Sequence, residues 1–153
     1  KDKVGEIGNN DHIIKNFSHQ LQKKQSIFKI YGNNYKTSSG TCIRDYIFIE
    51  DLNYIHYRIL KKLESNRGKN FIINCGTSIG YSVNDIYKKF IKKTKNYKTI
   101  FSNKRAGDVA KSVSNNKRLK RIIGENYKFK KIDFKINNSI RWEKYLKKLS
   151  IKH

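Results

Sequence analysis

The sequence predicts an α/β unit of short strands and about five helices. Apolar residues recur alternately at helical and at strand periods along the chain, and glycine and asparagine break the segments where no linker or repeat is visible. At 153 residues there is material for one core but not for two comfortable ones.

The elements follow in order. Ile13, Ile14, Phe17 and Leu21 share one helical face, with Asp11 placed to cap it. Ile27-Phe28-Lys29-Ile30-Tyr31 reads as a strand that Gly32-Asn33-Asn34 ends. A polar loop from Tyr35 to Thr41 leads into a second strand, 43 to 49. Asp51 is the expected N-cap of a helix whose Leu52, Ile55, Ile59 and Leu63 keep one face and which Asn66-Arg67-Gly68 closes. Phe71-Ile72-Ile73-Asn74 is a short, continuously apolar run of the kind found in fully covered strands. Gly76 and Gly80 then lead to a helix capped by Ser82 and carrying Val83, Ile86, Phe90 and Ile91. Their spacing does not match the dinucleotide fingerprint, so the junction reads as a plain turn. Tyr97 to Phe101 is a weak strand and 104 to 108 a charged turn. Asn115 can cap a helix with Leu119, Ile122 and Ile123, closed by Gly124. A last helix, about 138 to 149, gathers Trp142, Tyr145, Leu146 and Leu149 as a packing stripe.

Thirty-five Lys and Arg against 12 Asp and Glu give a formal charge of +23, which alone would fit a polyanion partner. The excess is mostly lysine, is spread along the whole chain and travels with abundant Asn, Ile and Tyr, while proline is absent. These are the residues whose codons can be almost wholly A and T, so a drift in base composition accounts for them together. The aromatics fall at core-like spacings rather than in a ladder with the lysines, and no nucleic-acid partner is expected. Nothing approaches the roughly 18 consecutive apolar residues of a membrane span, and Lys1 to Glu6 hold no signal-peptide core. Cys42 and Cys75 read as small buried thiols of a reducing, cytoplasmic compartment. The lack of any Met, even at position 1, reads as a fragment or a processed piece.

Catalytic constellations are missing. His12, His19, His56 and His153 lack metal-ligand spacing, no serine sits in a nucleophile elbow, and no carboxylate pair stands out. No catalytic residue and no metal are expected in this segment. Binding chemistry is better represented. Arg44 stands at a strand entrance beside Asp45, and Arg105 stands in a turn with Asp108 three residues on. Two guanidinium forks of this kind match the oxygens of a diphosphate, or each pairs with its own neighbouring aspartate at a solvated surface; the residues alone leave both open.

The stretch YGNNYKTSSGTCIRDYIFIEDLNYIH, residues 31 to 56, resembles the signature of the UDP-glucose 4-epimerases, which are extended short-chain dehydrogenase/reductase proteins. That family shows Tyr-Pro-Thr, Asp-Gly-Thr, Arg-Asp-Tyr-Ile-His-Val, Asp-Leu and His in the same order. FIINCGTSIGYSV at 71 to 83, KRAGD at 104 to 108 and GEIGNNDHIIK at 5 to 15 resemble further family segments in register. Lys15, Lys36 and Ala106 stand where the family commonly has proline, and Phe48 where it has a histidine.

The resemblance implies the C-terminal, sugar-nucleotide-binding portion of a Rossmann-type fold, all of residues 1 to 153 forming one substrate-binding unit. By position, Arg44 and Arg105 would contact the diphosphate, with Asp45 helping to orient Arg44. Tyr31, with backbone from Lys29 and Ile30, would border the uracil, and Asp108 would take a ribose hydroxyl. His12 and Ile13 would face the nucleotide, Tyr46 would line the same pocket, and Ser112 occupies a wall position that some relatives fill with Tyr. The implied reaction interconverts UDP-glucose and UDP-galactose through a transient 4-keto sugar, using NAD. The family's Gly-rich NAD loop and its Tyr/Lys catalytic pair precede the matched region, so NAD is expected to be bound by a part absent here, the segment alone is expected to be inactive, and the complete enzyme is expected to be a homodimer. A related nucleotide-sugar epimerase or dehydratase is the nearest alternative, and a basic nucleic-acid-binding module the alternative of another class.

Overall fold

The computed structural model describes residues 12–68 and 70–149, so Asp11 and His153 fall outside it. Among the described residues the order is α1 (Ile13–Gln20), β1 (Ser26–Tyr31), β2 (Ile43–Asp45), α2 (Ile49–Glu64), β3 (Gly80–Ser82), α3 (Val83–Ile91), β4 (Tyr97–Ser102), β5 (Lys111–Ser112), α4 (Lys117–Ile123) and α5 (Ile132–Lys148). The expected α/β class and five helices are therefore present. β1 and β4 form a parallel pair running from Ser26 opposite Tyr97 to Tyr31 opposite Ser102. β2 is the middle of a second sheet, antiparallel to β3 and parallel to β5.

Strand alternation builds the first core. Ser26, Phe28 and Ile30 of β1 point inward while Ile27 and Lys29 point out. Phe28 meets Phe17 of α1 edge-on with ring centroids 4.9 Å apart, and Phe17 meets Phe90 of α3 in the same way at 5.4 Å. Ile86, Ile132 and Ile136 complete the cluster. A second core joins Ile55 of α2 to Leu119 and Ile123 of α4. The expected Ser82 cap forms a full capping box, its hydroxyl accepting from the Asp85 N–H at 3.0 Å while Asp85 accepts from the Ser82 N–H at 2.9 Å. Asn115 accepts from the first N–H of α4, that of Lys117, at 3.1 Å.

Four expectations shift. The second strand is only Ile43–Asp45, because the chain leaves the ladder at Tyr46 and α2 has already begun at Ile49. Asp51 therefore lies inside the first turn instead of capping it. Its buried carboxylate accepts from the Tyr127 hydroxyl at 2.8 Å and the Lys130 N–H at 3.1 Å, tying the segment before α5 to α2. Burial and that aspartate push the Tyr127 hydroxyl up to about 12. The last helix starts at Ile132 rather than near 138, since Ile132, Ile136 and Ile140 extend its apolar stripe at four-residue steps onto the first core. Leu149 is half exposed at its end, and Leu146 is the buried member of the expected stripe.

The fourth shift concerns residues 71 to 74, which pair with no described strand. Ile73 and Cys75 pack on the second core while Ile72, just before them, is 83% exposed. The side chains alternate as in a strand, but no ladder is present. Cys42 and Cys75 are both free thiols, held above their ordinary value by burial. No helix among the described residues is long and apolar enough to cross a membrane.

Replacing Ser82 with Ala removes the hydroxyl half of the capping box and should destabilise the chain by about 1 kcal/mol, read as a lower urea midpoint. An unchanged midpoint would show that α3 does not depend on this cap.

Candidate functional site

Adjacent residues of a strand point to opposite faces, so β2 sends Arg44 and Asp45 in different directions. Asp45 faces the turn before β3 and the chain after β5. It accepts from the Thr77 N–H at 3.1 Å, the Thr77 hydroxyl at 2.5 Å, the Ser78 N–H at 2.9 Å and the Ser114 hydroxyl at 2.6 Å. Burial opposes its charge, but these hydrogen bonds prevail and hold the carboxyl below its usual value. Gly76 is required by the same knot, for a Cβ there would stand 2.1 Å from Ser114 Oγ and 2.6 Å from Asp45 Oδ2. The expectation that Asp45 orients Arg44 is corrected: Asp45 fastens the floor of the sheet, facing away from the arginine.

Arg44 is oriented by the loop after β4. Nη1 donates to the carbonyls of Ile43 at 2.9 Å and Val109 at 2.8 Å, and Nη2 pairs with Asp108 Oδ1 at 3.1 Å. The two open readings of the arginines thus resolve into a crossed arrangement. An aspartate does pair with Arg44, but it is the one from the Arg105 turn. Arg105 itself lies over the Tyr31 ring, its guanidinium carbon 4.1 Å from the centroid, and Lys29 Nζ approaches the same ring at 4.9 Å. Hydrogen bonding to Arg105, then to Lys29, holds the Tyr31 hydroxyl below its ordinary value.

The parallel β1–β4 pair explains why these groups meet. Both strands end side by side, the Gly32 N–H donating to the Ser102 carbonyl at 2.8 Å. The loops leaving them run together, with Lys104 Nζ bonded to the Asn34 carbonyl at 3.1 Å and the Tyr35 hydroxyl to Asp108 Oδ2 at 3.4 Å. In open α/β sheets such carboxyl ends of parallel strands form the ligand crevice.

The side-chain contacts thus form two groups, Lys29, Tyr31 and Arg105 in one and Lys104, Tyr35, Asp108 and Arg44 in the other, linked by the turn in which the Asp108 N–H donates to the Arg105 carbonyl at 3.3 Å. Ser112 stands opposite Arg44 in the β2–β5 ladder. Tyr46 packs against the first core, and burial pushes its hydroxyl up to about 12. Ile30 is buried and pairs with Phe101 in the β1–β4 ladder, while His12 and Ile13 open α1 and Ile13 packs on the first core. Tyr35 and Lys104 were not anticipated from sequence; the sole aromatic in a loop of turn-forming residues was the available signal for Tyr35.

The fold is that of the C-terminal portion of the Rossmann-type extended short-chain dehydrogenase/reductase enzymes, and within that class the chain is a relative of the UDP-glucose 4-epimerases, as residues 31 to 56 led one to expect. It is 29% identical over 136 residues to the UDP-glucose 4-epimerase of Azospirillum brasilense and 36% identical over 96 residues to that of Bacillus subtilis. Those matches cover 88% and 62% of this chain but only 39% and 28% of the two enzymes. A solved UDP-glucose 4-epimerase from Stenotrophomonas maltophila, with bound NAD and formylated UDP-arabinopyranose, superposes with a TM-score of 0.83 at 21% identity, over 95% of this chain and 44% of its own. No protein-family profile matches the chain.

The Asp45 knot sets an acid limit on stability. An aspartate ionises near 3.9 when unfolded, and the folded value lies lower, so the contribution is complete above about pH 4 and is lost as pH falls through the folded value. Asp45→Asn should lower stability at pH 7 by about 2 kcal/mol and flatten the acid dependence, measured by urea denaturation between pH 7 and 2.5. Identical acid profiles for the two proteins would contradict this assignment.

Proposed function

We propose that this chain is the nucleotide-holding, C-terminal portion of a UDP-glucose 4-epimerase, an isomerase that in its complete form interconverts UDP-glucose and UDP-galactose through a 4-keto sugar. The observation that carries this reading is that both arginines are tied to one turn, residues 104 to 109: Arg44 bonds to its Asp108 and Val109, while Arg105 is a member of it and lies over the Tyr31 ring. The two guanidinium groups take the diphosphate from either side of that turn, each offering a planar fork to phosphate oxygens. Tyr31, with the backbone of Lys29 and Ile30, borders the uracil. Asp108 keeps lone pairs beyond its Arg44 and Tyr35 contacts and accepts a ribose hydroxyl. Tyr46, Ser112, His12 and Ile13 form the surrounding wall.

NAD, which would accept and return the C4 hydride, does not fit the residues described. The Gly76–Gly80 turn is filled by the Asp45 knot, and the N-terminus of α3 is satisfied by its own capping box. In this reading the cofactor is held by polypeptide beyond this unit. Two surfaces support such a neighbour: the ladderless run at 71 to 74 with Ile72 outermost, and an apolar stripe on α2 formed by Ile49, Tyr57, Leu60 and Leu63, exposed between 37% and 58%. The isolated chain should neither bind NAD nor epimerise, and the complete enzyme is a cytoplasmic homodimer in this reading. Because these residues hold UDP and not the sugar, a related nucleotide-sugar epimerase or dehydratase would use them in the same way.

The test is calorimetric titration of UDP into the wild-type chain, Arg44→Lys and Arg105→Lys, with an unrelated oligonucleotide at low and high salt as the contrast. Keeping the charge but losing the fork should weaken UDP about tenfold in each variant. UDP affinity indifferent to both changes, or oligonucleotide binding that outcompetes UDP and collapses with salt, would remove the proposal.

A further inference from the structure

Tyr35 lies in the loop between β1 and β2, yet its side chain turns inward and is only 7% exposed. The loop is folded tightly around it: its N–H donates to the Gly40 carbonyl at 2.8 Å, and its carbonyl accepts from the Thr37 N–H at 2.7 Å. Lys104 Nζ lies over the ring, 4.6 Å from the centroid. Gly32 leaves room for it, with φ of +72° and space so close that a Cβ would stand 2.5 Å from Tyr35 Cε2. The hydroxyl so placed donates to Asp108 Oδ2 at 3.4 Å, and the other oxygen of that carboxylate pairs with Arg44 at 3.1 Å. Burial, then the charge of Asp108, holds the phenol above its ordinary value, so it stays a donor at neutral pH.

We propose that Tyr35 is a positioning residue of the diphosphate site: it fixes the rotation of the Asp108 carboxylate, and that carboxylate aims the Arg44 guanidinium at the ligand. This rests on the UDP-holding role given above. A site arginine anchored only by the Ile43 and Val109 carbonyls keeps Nη1 in place but leaves the direction of the fork to Nη2 and its partner. A partner carboxylate held at one oxygen alone is free to swing about its last bond. The hydroxyl closes that freedom, as outer hydrogen bonds do for ligating groups generally.

The experiment is a double-mutant cycle on UDP affinity: wild type, Tyr35→Phe, Asp108→Asn and the double variant, each with its melting temperature. Tyr35→Phe should weaken UDP about fivefold with little change in melting, and should have no further effect once Asp108 is Asn. Arginine-selective NMR of the ligand-free chain gives a second readout, rotation about the Arg44 Nε–Cζ bond becoming faster in Tyr35→Phe. An equal loss of affinity in both Asp108 backgrounds, or no loss with unchanged Arg44 rotation, overturns the proposal. UDP binding that needs Arg44 but ignores Tyr35 removes this inference alone, whereas a wild-type chain that binds no UDP removes the nucleotide reading with it.

Discussion

The alternation of side chains along three residues of β2 is the constraint on which the site depends. Ile43 and Asp45 go to one face and Arg44 to the other, so a single short strand both anchors the sheet and supplies the site. On the anchoring side, the Asp45 carboxylate gathers donors from Thr77, Ser78 and Ser114, stretches far apart in sequence. On the site side, Arg44 gathers the loop after β4 through Val109 and Asp108. Shifting the register of this strand by one residue would exchange the two roles and destroy both.

The magnitudes suit a site whose groups are held lightly enough to adjust to a ligand. Arg44 and Asp108 are 26% and 31% exposed, and an ion pair at that exposure is worth about 0–1 kcal/mol. A diphosphate would bring more negative charge and draw on the N–H groups that Arg44 does not spend on Ile43, Val109 and Asp108. Arg105 over Tyr31 is similarly light, about 0.5–1 kcal/mol for an exposed cation–π contact. The surrounding field helps: Lys29 and Arg105 over Tyr31, Lys104 over Tyr35 and Arg44 itself outnumber the single Asp108, so the local potential is positive before any anion arrives.

Much of this was legible in the residues. The period of apolar side chains located every helix and the strands β1 and β4, though not their pairing, Ser82 announced its cap, and the order of motifs between Tyr31 and His56 pointed to the relatives found. What escaped had non-local causes. Asp51 looks like a cap, and only the folded chain shows Tyr127 and Lys130 reaching back to it across 76 and 79 residues. β3 and β5, at three and two residues, are too short to leave a pattern and exist because β2 lies between them. Asp45 was paired with Arg44 because they are neighbours in sequence, whereas neighbours on a strand face apart. The run at 71 to 74 carries the composition of a covered strand, but it pairs with no described strand.

The central claim is that Arg44 and Arg105 serve one diphosphate. The most direct measurement follows the side-chain Nε resonances of both arginines, in arginine-labelled chain, as UDP is added. Both should move and saturate together with a single dissociation constant. A shift at only one of them, or two unrelated saturation curves, would contradict a shared clamp.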